Sequence, residues 1–477
     1  MAERTLVSLL VWAEERWPDR PAWTFVAPDG SEQTLTFAAV SGRTAAVAQA
    51  LRERGVEPGD RVAVMLDNSP AFPLVWLALA RLGAAIVPLN VRYRSADAQH
   101  VLDDAGARLA VTSSAYAGLL RGLTPAPSVV LVEELTPEGT FEQHAVDAGA
   151  TVNVQYTSGT TGRPKGCLLS HRYWTTLGTS LVEEFPRITH DDVMLTAQPF
   201  FYLDPMWNVV TALMAGAHLV ALAGFHPSTF WQQVRRHEVT YFYCLAAMPT
   251  LLLKMPPDPA DRDHRVRAVQ CSAIPTGLHA QLEERWGVPW YEAFGMTETG
   301  ADLRVTPEDH DELVGTGCLG RPAGHREVRL DEDGQMWLRG PGMMDGYLGH
   351  PSPFVDGWFP TGDLVRLDEA GRVYLTGRLK DMIRRGGENI AAREVEEVLL
   401  THPAVQVAAV VGVPDEIRGE EVKAYVVAPG ASAEELEAWC AEKLASFKVP
   451  RLWEFRDSLP LTASHRVAKA ALQEQSR

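Results

Sequence analysis

YTSGTTGRPKG, residues 156–166, follows the apolar run TVNV and contains three glycines, four Ser or Thr hydroxyls and one lysine. Glycines let backbone amides approach phosphate oxygens closely, while hydroxyls and a lysine add donors and charge. The segment is not a Walker loop, because Lys165 follows Gly162 by three residues and precedes Gly166 instead of Ser or Thr. A phosphate-binding loop after a strand is therefore predicted, with a flexible surface loop as the alternative.

The sequence on either side of this loop predicts an α/β fold. Short β-branched runs such as RVAVML, RLAVTS and VTYFYCL alternate with apolar helical stretches, which is typical of layers built around parallel sheets. Turns at 331–335 and 368–372 contain glycine and separate short strands, so they predict hairpins in a small β-barrel-like part. We expect a large multi-layer N-terminal domain over residues 1–380 and a small α+β C-terminal domain over residues 381–477.

Charge and composition exclude several classes of partner. Lys and Arg total 44 against 61 Asp and Glu, and the net charge of -17 repels nucleic acid and anionic lipid. Five scattered cysteines without a CxxC pair predict a reducing, cytoplasmic environment and no structural metal. The longest apolar stretch, residues 71–90, is interrupted by Arg81 and predicts a buried helix followed by a strand, so no membrane span is expected.

Three further segments carry groups that suit a nucleotide. YEAFGMTETG supplies Thr297, whose hydroxyl can donate to a phosphate, and Glu298, whose carboxylate can hold Mg²⁺. GWFPTGDL supplies Asp363 as an acceptor for ribose hydroxyls, and GRLKDMIRRGGENI supplies Arg378. Taken singly, Asp363 is typical of a solvated turn and Arg378 of a surface cation. A GxGxxG match at 315–320 lacks a strand-to-helix context, so we interpret it as a turn.

Together, in this order and at these separations, the segments resemble the adenylate-forming superfamily of acyl-CoA synthetases, peptide-synthetase adenylation domains and firefly-type luciferases. The resemblance extends from about Leu6 to Leu472 and is closest to carnitine/crotonobetaine-type and medium-chain acyl-CoA ligases. It implies ATP, AMP and coenzyme A as co-substrates, Mg²⁺ held by Glu298, and a carboxylic acid or acyl-adenylate as the partner of CoA. CSAIP, residues 271–275, resembles the adenine-lining segment, and Asp363 and Arg378 match the family's ribose ligands. The implied nucleotide-binding residues are Thr157, Ser158, Gly159, Thr160, Thr161, Gly162, Lys165, Ala273, Ile274, Pro275, Tyr291, Thr297, Asp363 and Arg378.

The resemblance also implies a reaction in two steps. A carboxylate attacks the α-phosphorus of ATP and expels pyrophosphate, and the CoA thiol then attacks the acyl-adenylate and expels AMP. The small domain is mobile in the family and rotates about the position of Lys380 between the two steps. Gly386, Gly387 and Glu388 match the segment that lines the CoA channel.

The largest departure from the family lies near the C-terminus. The implied catalytic residues are Thr297, Glu298 and a lysine, but Arg466 stands at the lysine position and His465 replaces the usual glycine. A planar guanidinium is broader than an ammonium, and losing one such contact typically costs about 3 to 4 kcal/mol. We expect weak or lost adenylation and retained thioester formation, with a separate adenylating enzyme as one source of adenylate. If Arg466 works, or if Lys469 takes its place, the enzyme is a complete ligase.

The acyl pocket is implied by alignment with the acid-binding region, and Tyr202 replaces the family's histidine. An aromatic cluster here is otherwise typical of plain core. With Ala246 nearby, the pocket residues suggest a mainly apolar acid without a charged head; they are Phe201, Tyr202, Met206, Trp207, Ala247, Phe294 and Gly295. Alternative functions are loading of an acyl carrier protein and a luciferase-like oxygenase. A non-catalytic nucleotide-binding relic is a further alternative, but the intact phosphate loop, Glu298 and Asp363 argue against it.

Overall fold

A computed structural model describes residues 4–135, 141–143, 145–157, 164–245, 247–386, 388–415, 417–460 and 467–475. It contains a large N-terminal domain and a smaller C-terminal domain, both of mixed α and β structure. The helices in these ranges are α1 (Leu6–Arg16), α2 (Phe37–Glu53), α3 (Ala71–Leu82), α4 (Ser95–Ala105), α5 (Ser114–Arg121), α6 (His171–Glu183), α7 (Leu203–Ala215), α8 (Pro227–Arg236), α9 (Met248–Leu253), α10 (His279–Trp286), α11 (His310–Leu313), α12 (Ala392–Leu400), α13 (Ala433–Ala441) and α14 (Lys469–Glu474).

The strands form three sheets. In chain order they are β1 (Pro21–Val26), β2 (Glu32–Thr36), β3 (Arg61–Met65), β4 (Ala85–Pro88), β5 (Leu109–Thr112), β6 (Ser128–Leu131), β7 (Thr151–Thr157), β8 (Lys165–Ser170), β9 (Val193–Thr196), β10 (His218–Leu222), β11 (Tyr241–Leu245), β12 (Ala268–Ser272), β13 (Trp290–Met296), β14 (Gly300–Arg304), β15 (Cys318–Pro322), β16 (Glu327–Leu330), β17 (Gln335–Arg339), β18 (Gly346–Tyr347), β19 (Phe359–Leu367), β20 (Val373–Arg378), β21 (Met382–Arg385), β22 (Glu388–Ala391), β23 (Val407–Asp415), β24 (Gly419–Val427) and β25 (Leu452–Phe455).

The largest sheet combines the two textures that the sequence predicts. Its order is β16-β17-β19-β20-β15-β14-β13-β12-β11-β9-β10-β1-β2. Strands β9 to β13 and β1 pair in parallel, as their continuous apolar runs predict, whereas β14 to β17, β19 and β20 pair antiparallel. The predicted hairpins at 331–335 and 368–372 join β16 to β17 and β19 to β20. The parallel part therefore passes directly into the antiparallel part at β13 and β14, where Thr297 and Glu298 lie.

A second sheet carries the phosphate-loop hairpin. Its order is β18-β8-β7-β4-β3-β5-β6. Strands β3 to β7 pair in parallel, whereas β8 pairs antiparallel with both β7 and β18. The apolar stretch 71–90 forms α3 and β4, as predicted, and α3 is buried along nearly its whole length. Helix α1 packs against the main core through Leu6, Leu9 and Leu10, which are buried.

The C-terminal domain is built on the third sheet, with the order β22-β21-β24-β23 and β25 paired to β24. Helices α12 and α13 cover one face through Val395, Leu399 and Leu436. Among the described residues no helix is long and apolar enough to cross a membrane. Residues 315–317 form a turn and residues 318–320 begin β15, with Gly315, Gly317 and Gly320 all at positive φ. The segment therefore lacks a strand-to-helix turn, as predicted, and only its first half is the expected turn.

Candidate active site

The β7–β8 hairpin holds the two ends of the phosphate-loop segment. Thr157 and Lys165 are directly opposite each other in the antiparallel register. The hydroxyl of Tyr156 donates a hydrogen bond of 2.6 Å to Asp104, which ties the end of β7 to helix α4. The predicted phosphate ligands between these ends, Ser158 to Gly162, lie outside the described residues.

Tyr347 connects the lysine of this hairpin with the predicted metal ligand. The hydroxyl of Tyr347 donates a hydrogen bond of 2.9 Å to Oε1 of Glu298, and Nζ of Lys165 lies 5.3 Å from the centre of the tyrosine ring. Burial raises the pKa of Glu298, whereas the Tyr347 hydroxyl and Arg378 act in the opposite direction. No role for Tyr347 was predicted from the sequence; the structure places it in the two-residue strand β18, which pairs with β8.

A buried ion pair fixes the turn that carries Thr297 and Glu298. Nε of Arg326 lies 2.7 Å from Asp302, and both side chains are at most 1% exposed. Asp302 also accepts a hydrogen bond from the hydroxyl of Thr299, and the Arg326 guanidinium donates to the Thr299 carbonyl. The Arg326–Asp302 ion pair therefore fixes the turn between β13 and β14 through its hydrogen bonds to Thr299. Thr297 itself is half-buried.

Gly295 allows the two strands of this turn to come close. A Cβ atom at position 295 would lie 2.0 Å from the carbonyl oxygen of Gly300, which is backbone and cannot move aside cheaply. The predicted aromatic Tyr291 is buried at the start of the same strand, against Phe185 and His310. Phe294 is half-buried and packs against the main core.

The predicted adenine-lining segment follows β12. Ala273 adopts a left-handed conformation with φ of 66°, which is uncommon for a residue other than glycine. The amides of Ala273 and Ile274 donate to the two carboxylate oxygens of Glu292, at 2.6 and 2.8 Å. Pro275 follows in extended conformation and begins a short 3-10 turn. Glu292 lies within YEAFGMTETG, but no role was predicted for it from the sequence.

Asp363 and Arg378 are brought together across the β19–β20 hairpin. They are register partners, and Nε of Arg378 lies 2.7 Å from Oδ1 of Asp363. Asp363 is fully buried, whereas Arg378 is about one-third exposed at 32%. The sequence placed both at the ribose, and their direct pairing accounts for how a carboxylate can be buried there without an uncompensated charge.

Lys380 follows this hairpin in a 3-10 turn, Leu379–Asp381, and is exposed. Lys469, at the start of α14, lies 2.7 Å from Glu396 of α12 and 3.8 Å from Asp381. Glu396 also accepts a hydrogen bond of 2.7 Å from the amide of Val410. Lys469 is thus part of an ion pair within the small domain. Arg466 and His465 lie outside the described residues.

The predicted CoA-channel segment lies at the tip of the β21–β22 hairpin. Gly386 is exposed with φ of 60°, and its amide donates a hydrogen bond of 2.8 Å to the carbonyl of Arg418. Glu388 is exposed at the start of β22, and Gly387 lies outside the described residues. The tip therefore rests on the β23–β24 turn.

Four of the predicted acyl-pocket residues, Phe201, Tyr202, Met206 and Trp207, lie around the start of α7, whereas Phe294 and Gly295 belong to β13. Met206 and Trp207 are buried, and the rings of Trp207 and Tyr243 meet edge-on at 5.5 Å. Tyr243 and Ser272 are within 2.5 Å through their hydroxyls, which joins this cluster to the adenine-lining segment. Tyr243 and Ser272 are polar additions that the apolar prediction did not include.

Two further predicted pocket residues, Phe201 and Tyr202, contact each other with ring centres 4.7 Å apart. Burial raises the pKa of Tyr202 to about 12, so its hydroxyl is neutral at physiological pH. Gln155 of β7 donates a hydrogen bond of 2.9 Å to the carbonyl of Phe201. Ala247 is exposed just before α9, and Ala246 lies outside the described residues.

One cluster outside these segments has the residue types of a metal site. His279, Glu283 and His310 place their ligand atoms within 4.8 Å of one another. However, Nδ1 of His279 accepts a hydrogen bond of 3.1 Å from the Gly315 amide, so the proton resides on Nε2, which donates to the Trp290 carbonyl. Both ring nitrogens of His279 are therefore occupied, and neither has a lone pair available for a metal. The cluster is a hydrogen-bonded support for β13.

The family described as AMP-binding enzyme matches residues 10–348, and the AMP-binding enzyme C-terminal domain matches residues 394–466. The chain belongs to the AMP-binding enzyme family. The expected superfamily is thereby confirmed.

Related proteins agree in kind over nearly the whole length. The chain is 35% identical over 466 residues to 3-[(3aS,4S,7aS)-7a-methyl-1,5-dioxo-octahydro-1H-inden-4-yl]propanoyl:CoA ligase of Mycobacterium tuberculosis, covering 90% of this chain and 91% of that protein. It is 30% identical over 500 residues to crotonobetaine/carnitine–CoA ligase of Salmonella paratyphi B, covering 95% and 96%. This AMP-binding enzyme is therefore an acid–thiol ligase of the acyl-CoA ligase type.

A solved structure confirms the fold class. The o-succinylbenzoate CoA synthetase (MenE) of Bacillus subtilis, in complex with the acyl-adenylate intermediate OSB-AMP, is 29% identical and superimposes with a TM-score of 0.89, covering 99% of each chain. The domain boundary at residue 380 and the individual roles of the residues described above stay predictions.

Proposed function

We propose that this enzyme forms an acyl-CoA from a carboxylic acid through an acyl-adenylate, and that it uses the adenylate more efficiently than it makes it. ATP would lie between the β7–β8 hairpin and the turn after β13. Lys165 and Thr297 would bind its phosphates, while Asp363 would accept from the ribose hydroxyls. The contacts of Tyr347 with Glu298 and with Lys165 support nucleotide binding, because they bring two of these separate elements together.

Glu298 suits Mg²⁺ by its donor chemistry. It is a single carboxylate, only partly exposed, and its remaining surroundings supply a hydroxyl and no competing cation within hydrogen-bond distance among the described residues. Mg²⁺ is commonly bound by one or two carboxylates together with substrate phosphates. When bound, the ion would neutralise phosphate charge, and Tyr347 would orient the carboxylate.

The observation that carries the proposal of weak adenylation is the position of Lys469. The first half-reaction brings a carboxylate and a triphosphate together and needs a cation between them. In this chain Arg466 stands where the family has lysine, and Lys469 is the next cation along the tail. Since Lys469 is engaged by Glu396 at 2.7 Å, moving it to the reacting groups would leave that carboxylate unpaired.

The acyl acceptor is proposed to be free CoA, with the exposed tip of the β21–β22 hairpin lining the entry of its thiol arm. The mainly apolar surroundings of Phe201, Met206 and Trp207 support an acid with an apolar body. Tyr243 and Ser272 add two hydroxyls at its adenylate end. A separate adenylating enzyme supplying acyl-AMP is part of the proposal.

Two assays, run on the same set of acids, test these statements. The first measures ATP–pyrophosphate exchange across medium-chain, aryl and betaine acids; the second measures acyl-CoA formation from the matching preformed acyl-AMP and CoA. We expect slow exchange and rapid thioester formation, and Arg466→Lys should raise exchange on the order of 10²-fold. Arg451→Lys, an exposed arginine of the same domain, is the matched control.

Other outcomes separate the alternatives. Exchange in the wild type at the rate of the Arg466→Lys variant identifies a complete ligase. No thioester from any acyl-AMP, together with acylation of a carrier protein, identifies a loader.

A further inference from the structure

Glu292 is a buried carboxylate within the adenine-lining region, and its hydrogen bonds are to backbone. The residue is 6% exposed, and its Oε1 and Oε2 accept hydrogen bonds from the amides of Ala273 and Ile274 at 2.6 and 2.8 Å. Among the described residues it has no ion pair within 4.0 Å. The carboxylate thus binds two consecutive backbone amides, and we call this pair of hydrogen bonds the clamp.

The clamp acts on the most strained residue of the segment. Ala273 has φ of 66°, a conformation that residues other than glycine rarely adopt and that costs on the order of 1 kcal/mol or more. Its amide makes the shorter of the two bonds to Glu292. The two hydrogen bonds of an ionised carboxylate are charge-assisted and are therefore stronger than neutral ones. They compensate for the conformation of Ala273.

The same residue belongs to the strand that ends at the catalytic turn. Glu292 lies in β13 opposite Cys271 of β12, and its carbonyl accepts a hydrogen bond of 2.9 Å from the amide of Val305. The same strand runs on through Met296 to Thr297. The clamp therefore ties the adenine-lining segment to the strand whose end presents Thr297 and Glu298.

Glu292 also lines a small cavity of about 10 Å³, close to the volume that one water molecule requires. Ile274, His279 and His310 line the same cavity.

We propose that Glu292 is a positioning residue for the adenine half of the substrate site, and that only its ionised carboxylate holds the Ala273–Ile274 segment in the conformation that accepts nucleotide. This rests on the proposed function, because it assumes that the segment binds adenine. The roles of Glu292 and of Thr297 remain separate, since the carboxylate of Glu292 is taken up by the two amides.

The proton on this carboxylate is expected to matter near neutrality. Burial raises the pKa of Glu292 to about 7, against the two amide hydrogen bonds and the charge of Arg393 on α12, which act to lower it. The other groups facing it are His279 and His310 across the cavity, and His310 is itself paired with Glu283. Protonation would leave one oxygen as a donor facing an amide. Nucleotide affinity should therefore fall as the pH decreases below about 7.

Stability has the opposite dependence on this group. A carboxylate whose pKa is higher in the folded than in the unfolded state stabilises the protein most at pH values below its pKa in the unfolded chain. This stabilisation is lost as the pH rises through about 7, the pKa of Glu292 in the folded protein. A merely structural acid would show only this stability effect. A positioning acid also changes nucleotide affinity.

The test is AMP binding to the full-length protein by isothermal titration calorimetry between pH 6 and 8.5. Glu292→Gln should weaken AMP binding about tenfold at pH 8 and remove most of the fall in affinity below pH 7. Asp368→Asn is the matched control, because Asp368 also accepts two backbone amides, those of Ala370 and Arg372, but lies in an exposed turn. Its affinity and pH profile should equal those of the wild type.

Glu292→Asp keeps the carboxylate with a shorter reach and should bind more weakly while retaining a pH dependence, which serves if the glutamine variant does not fold. Glu292→Gln binding AMP within twofold of the wild type, with the same pH profile, overturns the inference alone. No AMP binding by the wild type overturns the proposed function together with it.

Discussion

The hydroxyl of Tyr347 donates a 2.9 Å hydrogen bond to the carboxylate of Glu298. Tyr347 lies on β18, which pairs with β8, the strand of the phosphate-loop hairpin that begins at Lys165. One short strand thus connects two parts of the proposed ATP site that are more than 130 residues apart in sequence. The relationship makes Tyr347 the first target for mutagenesis.

Tyr347→Phe should lower the affinity for Mg²⁺ without unfolding the protein. A hydrogen bond to a charged group is worth about 1.5 to 3 kcal/mol, and its loss also raises the pKa of Glu298 further. We expect exchange activity to fall about tenfold at limiting Mg²⁺ and to recover at high Mg²⁺, measured by magnesium titration. Tyr116→Phe, which breaks a comparable tyrosine bond to Asp67, is the control. An unchanged magnesium dependence contradicts the assignment.

Gly295→Ala should abolish activity. The new Cβ would lie 2.0 Å from the Gly300 carbonyl oxygen, so the strands around Thr297 and Glu298 must separate. We expect a loss of both half-reactions by more than about 100-fold and a lower melting temperature. Gly277→Ala is a matched control, because a Cβ atom at position 277 would have no neighbour within 4 Å among the described residues. Normal turnover in Gly295→Ala means that the turn can rearrange at little cost.

Lys469→Ala should destabilise the small domain more than it slows adenylation. Removing the partner of the half-buried Glu396 costs about 1 to 3 kcal/mol, less than for a fully buried pair. Denaturant unfolding checks the stability, and Lys469→Ala combined with Glu396→Gln should recover much of it. A fall in exchange of more than about 100-fold with unchanged unfolding would instead show that Lys469 acts in place of Arg466.

Acid should unfold the protein partly through two buried histidines. Burial lowers the pKa of His171 and of His218 to about 4, from 6.5. The unfolded chain binds more protons than the folded chain between these values, so stability falls as the pH decreases from about 6.5 to about 4, by about 1.4 kcal/mol per pH unit for each proton. His171 accepts a hydrogen bond from the Leu6 amide at the start of α1.

His171→Gln keeps an acceptor for that amide and removes the titration. The slope of unfolding free energy against pH should therefore decrease by up to one proton in this variant, measured by denaturant unfolding at several pH values. The difference between variant and wild type is the quantity to compare, because Glu292 acts in the opposite direction over part of the range. Equal slopes would mean that His171 is protonated in the folded state.

The sequence predicted the elements because local patterns determine them. The hairpins at 331–335 and 368–372, the strand before the phosphate loop and the buried helix within residues 71–90 all lie where turn residues and apolar periodicity place them. The sequence also implied that Asp363 and Arg378 lie close together, since the family resemblance assigns both to the ribose. Their register across one hairpin required the structure.

The contacts that sequence reasoning missed are long-range. Tyr347, Glu292 and Tyr243 are ordinary residues in their own segments and gain meaning only from partners on other elements. Lys469 is the converse case, because its sequence position suggested the reaction centre whereas its observed partners are Glu396 and Asp381. Spacing along the chain cannot distinguish a free cation from a paired one.

The β19–β20 hairpin ends with Arg378, two residues before Lys380. If the proposed ribose-binding role of this hairpin and the proposed hinge at Lys380 are both correct, the hairpin that binds the ribose also leads directly to the hinge of the small domain. Nucleotide affinity and domain orientation are then thermodynamically linked. If bound nucleotide shifts the equilibrium toward one orientation by some factor, that orientation binds nucleotide more tightly by the same factor. A substitution far out on the small domain would therefore be detectable as a change in AMP binding.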